Sequence, residues 1–133
     1  MAKPDLGVVA YQKSVDLMPN APQLRVALGA AQLATERPAL NKPALGNLKI
    51  ALQQEDDDPF AWYEAAQAYS NLGNEPMADL ATAERYYSVG AMAQAAMFAT
   101  KARHGLDQGS PDWQRANDIV AVAVPLARQQ QQR

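Results

Sequence analysis

The sequence has no cysteine among its 133 residues, which excludes disulfides, zinc–thiolate sites and thiol catalysis together. The compartment stays open, because exported and cytosolic proteins alike can lack cysteine. His104 is the single histidine, so the two-histidine HExxH site of a zinc protease is missing. There is no glycine-rich phosphate loop and no Ser-His-Asp order. The formal charge is only −2 and no basic stripe occurs, which argues against nucleic acid as a partner. No apolar stretch is long enough for membrane insertion, and the polar start MAKPDLG is not a signal peptide. If the natural protein is exported, its signal is expected outside this chain. Valine and isoleucine are sparse and scattered, which speaks against strands.

About one residue in five is alanine, a composition that favours helices and close helix packing over a thick core. The length suits one domain, 1–133. Apolar periodicity and chain breakers place seven antiparallel helices near 4–18, 21–35, 43–54, 59–72, 75–89, 91–104 and 111–124. Asn20, Asp58, Asn74 and Ser110 read as helix starts, Asn41 or Lys42 leads into another at Pro43, and Gly73, Gly90 and Gly105 read as stops. Helix one carries Leu6, Val9, Ala10, Val15 and Leu17, and helix two is expected to bury Leu24, Ala27, Leu28, Ala31 and Leu33. Pro125 should end or kink the last helix, leaving 126–133 with its four glutamines as a frayed tail that Leu126 and Ala127 could extend.

The stretch 58–73, DPFAWYEAAQAYSNLG, organises the rest. Trp62, Ala65, Ala66 and Tyr69 share one side of a helix that Gly73 ends. This resembles the first helix of a tetratricopeptide repeat, W-x-x-L-G-x-x-Y, with alanine replacing both the leucine and the glycine. Gly7, Tyr11, Ser14 and Pro19 resemble the second half of such a repeat, so the natural start is expected upstream. Gly29 and Ala66 stand 37 residues apart, the 34 of one repeat plus a three-residue insertion at 36–41. Trp62 and Trp113 are 51 apart, three half-repeats, so helix five must serve two frames. Helix seven is then expected in the outer layer as a cap, with Trp113 against helices five and six. The implied fold is all-α, a right-handed helical-repeat solenoid.

Three stretches resemble one family more closely: 61–90 (AWYEAAQAYSNLGNEPMADLATAERYYSVG), 93–106 (AQAAMFATKARHGL) and 109–121 (GSPDWQRANDIVA). They are similar to the C-terminal repeat domain of periplasmic zinc metalloproteases like the β-barrel assembly-enhancing protease. That resemblance implies a periplasmic location and a role in outer-membrane quality control. The expected partners are proteins or peptides, among them outer-membrane assembly proteins or the chain's own N-terminal protease domain. The proteolytic role transfers to no residue here, and no catalytic residue, metal or cofactor is expected in this chain.

His104, near Lys101 and Arg103 at a helix end, reads as structural. The acidic run 55–58 lacks the spacing of a calcium loop and suits a helix N-terminus. Glu64 and Glu84 read as solvated, and Trp62, Tyr69, Tyr86, Phe98 and Trp113 as packing residues. Partner contacts are expected from the concave positions of the first helices: Gln23, Val26, Ala30, Leu33 and Ala34, then Phe60, Tyr63, Gln67, Ser70 and Asn71. Repeat proteins that clamp a C-terminal carboxylate use lysine and asparagine there, which Val26, Ala30, Tyr63 and Gln67 do not supply. The lining instead suits a polypeptide with apolar anchors. Two other roles compete: cis-regulation by docking on the protease domain, and an independent scaffold such as a cytochrome-maturation assembly factor.

Overall fold

Three side chains set helix starts. Asp58 accepts a hydrogen bond from the Phe60 amide (3.0 Å), Asn74 from that of Met77 (3.3 Å) and Ser110 from that of Trp113 (3.2 Å). Each cap is followed within two residues by proline, tolerated where the helix has no partner for its amide. The computed structural model describes residues 2–132, and among them the chain forms seven α-helices and no strand. They are α1 (Ala2–Leu17), α2 (Pro22–Ala34), α3 (Asn41–Gln54), α4 (Pro59–Asn71), α5 (Glu75–Ser88), α6 (Met92–Gly105) and α7 (Pro111–Gln131).

The start of α2 differs from expectation. Ala21, rather than Asn20, holds the cap position, and no side chain caps it. The connection to α3 is more ordered than a plain insertion: Pro38–Leu40 form a 3-10 turn and α3 begins directly at Asn41. Glu36 takes the left-handed conformation, at φ 59°. Thr35 holds the bend by donating to the Gln32 carbonyl (2.7 Å) and accepting from the Arg37 amide (3.2 Å).

Pro125 neither ends α7 nor leaves 126–131 as a tail, because the helix runs through it to Gln131. Residue 133 lies outside the described residues. Proline removes one amide and leaves the carbonyl four residues earlier unpaired. Here both Pro125 and Ala121 are exposed, so that carbonyl is on the wet side of the helix. Ala123 is buried, and Gln130 donates to the Gly90 carbonyl (2.9 Å), which ties the far end down.

Each helix packs on the next, with additional contacts between α2 and α4 and between α5 and α7. The interior is thin and built from alanine. Ala95, Ala99 and Ala102 of α6 meet Leu80 and Ala83 of α5 and Ala116, Ile119 and Ala123 of α7 in one cluster. Val26, Leu48, Ala51, Leu52, Ala61, Ala65 and Ala81 form a second, bordered by Trp62, Ala66 and Tyr69. Small side chains let the helices approach, and Gly29 marks one close place: a methyl group there would lie 2.9 Å from Leu48 Cγ and 3.2 Å from the Ala44 carbonyl oxygen.

Several faces are turned differently from their sequence reading. In α2 the buried residues are Val26, Leu28, Gly29 and Gln32, while Leu24, Ala27, Ala31 and Leu33 are half-buried. Among the α1 residues of described burial, 5–17, only Val15 is buried, and Leu6, Val9, Ala10 and Leu17 form an exposed stripe. Trp113 is half-buried and belongs to neither cluster.

Candidate functional site

Where α2 and α4 lie side by side, the C-terminal half of α2, one side of α4 and the bend between α2 and α3 enclose an open cavity of about 520 Å³. Helical spacing explains the lining. Ala30, Leu33 and Ala34 come from one side of α2, and Tyr63, Gln67 and Asn71 stand four residues apart on α4 with Glu64 beside them. Glu36, Pro38 and Asn41 complete the rim. Asn71 donates to Asn41 (3.1 Å), closing one end.

Six of the ten expected groove residues, Ala30, Leu33, Ala34, Tyr63, Gln67 and Asn71, therefore meet in one cavity. The other four do not. Phe60, about half exposed, lines an adjoining hollow with Pro59, Tyr63 and Arg85. Gln23 is exposed, its amide 3.5 Å from Glu55. Ser70 is exposed and donates to Glu75 (2.9 Å). Val26 is only 7% exposed and packs in the cluster containing Ala61 and Ala65. It is a core residue, because the helices close together at its level and the cavity takes in α2 only from Ala30 onward.

The chemistry of the lining is acidic and amide-rich. Its charged members, Glu36 and Glu64, carry the same sign, and among the described residues no lysine, arginine or histidine lines the cavity. Glu64 is half-buried rather than fully solvated, and burial holds its carboxyl above the ordinary value. The adjoining hollow differs. The Arg85 guanidinium lies over the rings of Tyr63 (5.0 Å) and Tyr86 (5.2 Å), and Tyr86 stacks on Phe98 with centroids 5.7 Å apart. One aromatic ring, Tyr63, thus separates an acidic cavity from a basic, aromatic one.

A smaller, more apolar cavity of about 220 Å³ lies among α3, α4, α5 and the start of α7. Leu52, Trp62, Tyr69 and Met77 wall it, with Glu84 and Arg115 at its edge. Glu84 is buried, contrary to a solvated reading, and Arg115 donates to both of its oxygens (2.9 and 2.6 Å). That hydrogen bonding raises the Arg115 pKa above its usual value, against the opposing effect of burial. Burial first, and then the charge of Asp112, raise the Tyr69 pKa. The Trp62 indole donates to the Asp56 carbonyl (2.7 Å), fixing the acidic turn before α4.

Among the described residues no group of three or more His, Cys, Asp or Glu side chains could hold a metal ion, and no helix is long and apolar enough to cross a membrane. His104 is exposed in the last turn of α6. The sequence offered one signal for the lining it did not name. The extra residues at 36–41 form the rim, so an insertion beside a groove helix marks Glu36, Pro38 and Asn41 as candidates. No family model matches the chain, and no curated protein matches it significantly.

Proposed function

We propose that this chain is a non-catalytic protein-binding module, a tetratricopeptide-type array whose α2–α4 groove holds an extended segment of another polypeptide. The single observation behind this reading is the convergence of Ala30, Leu33, Tyr63, Gln67 and Asn71, from two helices and one repeat apart, on one open cavity. An apolar wall on α2 and an amide row on α4 suit a peptide, whose backbone needs hydrogen-bond partners and whose side chains need pockets. The close approach of Gly29 to Leu48 supports pairing α2 with α3 as one repeat, with α4 and α5 as the next. A right-handed solenoid is part of the proposal.

The stretches 61–90, 93–106 and 109–121 support a place beside a periplasmic metalloprotease in outer-membrane quality control. Photocrosslinking tests both levels. A benzoylphenylalanine at position 63 should capture polypeptides from a periplasmic extract, whereas one at Val89, exposed on another helix end, should not. Capture of outer-membrane assembly proteins or their clients supports a substrate platform. Capture of added protease domain alone makes the domain a cis-regulator, and equal capture at both positions removes the groove from the proposal.

A further inference from the structure

We propose that the α2–α4 cavity recognises a lysine or arginine side chain of the bound polypeptide, its aliphatic stem along Leu33 and Ala34 and its cationic head at the Glu64 carboxylate. The inference deepens the peptide-binding reading and rests on it.

Charge complementarity carries it. Glu36 and Glu64 are the charged side chains of the lining, and Gln67 and Asn71 add amide oxygens that accept hydrogen bonds from an ammonium or guanidinium. The Glu64 carboxylate makes no hydrogen bond and no ion pair with any described residue. Two cations flanking the cavity are engaged elsewhere: Arg37 pairs with Asp5 (2.8 Å), and Arg85 is held over Tyr63 and Tyr86. A half-buried carboxylate that lacks a protein cation gains most from one brought by a ligand.

Size and shape agree. About 520 Å³ accommodates a long side chain with part of its backbone, and Ala30, Leu33 and Ala34 provide the apolar surface along which a lysine or arginine stem lies. Arg85 repels a second cation from the adjoining hollow, where Phe60 and Pro59 favour an apolar residue. The two hollows share Tyr63, so the peptide has one preferred direction.

The test uses the full chain and three fluorescein-labelled decapeptide pools. They are randomised over Ala, Leu, Ser and Gln and carry Lys, norleucine or Glu at one fixed central position. Fluorescence anisotropy should show the Lys pool binding about tenfold more tightly than the norleucine pool, the effect of one charge-assisted hydrogen bond. Glu64→Gln, which keeps shape and removes charge, should erase that preference, so that the Lys and norleucine pools bind the variant equally. Equal binding of the Lys and norleucine pools, preference for Glu, or a Lys preference that survives in Glu64→Gln overturns the cation site and leaves peptide binding standing. Binding of no pool up to millimolar concentration overturns both.

Discussion

Arg115 reaches from α7 to α5 and holds both carboxylate oxygens of Glu84, at 2.9 and 2.6 Å, across 31 residues of sequence. The two ends of the pair differ in burial: the Glu84 side chain is 10% exposed and that of Arg115 is 44%. Arg115→Ala leaves a buried carboxylate without its partner, which costs roughly 3–5 kcal/mol in a fully buried pair. With Arg115 open to water, about 2–3 kcal/mol is expected here, a fall in Tm of about 10 °C by calorimetry. Replacing both residues with leucine should recover most of the loss, since a well-packed apolar pair often matches an ion pair.

Leu48 is fully buried and Gly29 packs directly on it. Leu48→Ala should cost about 2–5 kcal/mol in urea unfolding. Gly29→Ala should cost about 1 kcal/mol net, the crowding at 2.9 Å outweighing the better helix propensity of alanine. In the Leu48→Ala background the Leu48 atoms at 2.9 and 3.3 Å are gone and the Ala44 carbonyl oxygen at 3.2 Å remains, so Gly29→Ala should cost less there than in the parent. That reduction, read from a double-mutant cycle, is the measurement.

Glu64 gives a pH dependence with a definite direction. Its folded pKa is raised by burial from the ordinary 4.5, so the folded state binds more protons than the unfolded one just above that value. Stability from this group is therefore highest below 4.5 and falls as pH rises through the raised folded value. Glu64→Gln should be more stable than the parent at pH 7, with the advantage shrinking at acid pH, as read from thermal midpoints across the range. If the cavity takes a cation, the same substitution strengthens the fold and weakens binding.

Pro125 interrupts the hydrogen bonding of α7 on its exposed side. Pro125→Ala restores one amide donor and should stabilise by about 2 kcal/mol, the helix gain reduced by the looser unfolded chain. Hydrogen exchange should slow over 121–131 and stay unchanged in α2.

Local chemistry was legible in the sequence. Asp58, Asn74 and Ser110 cap as read because a cap needs only its own next three residues. Ala95, Ala99 and Ala102 are buried because their spacing repeats on one helix side, a pattern visible in the sequence. What depends on distant partners was not legible. Glu84 reads as a surface charge until α7 brings Arg115 to it, and Val26 reads as groove lining until α4 closes over it. Pro125 reads as a stop because its sequence says nothing about which side of α7 faces water. Half of the groove was legible for a mixed reason: the helix spacing was local, but the depth at which the helices part was not.

Neighbour-to-neighbour packing also gives the molecule a sequence of opening. α1 packs chiefly on α2 and, among its residues 5–17, holds one buried apolar side chain, Val15, whereas α5 is held by α4, α6 and α7. Few buried contacts mean a small free energy of local opening. Amides of α1 should therefore exchange first and those of α5 last, with α1 peeling away while the rest stays intact. The groove lies one helix inward from that loose end, so its α2 wall is the part of the site first disturbed when the molecule begins to unzip.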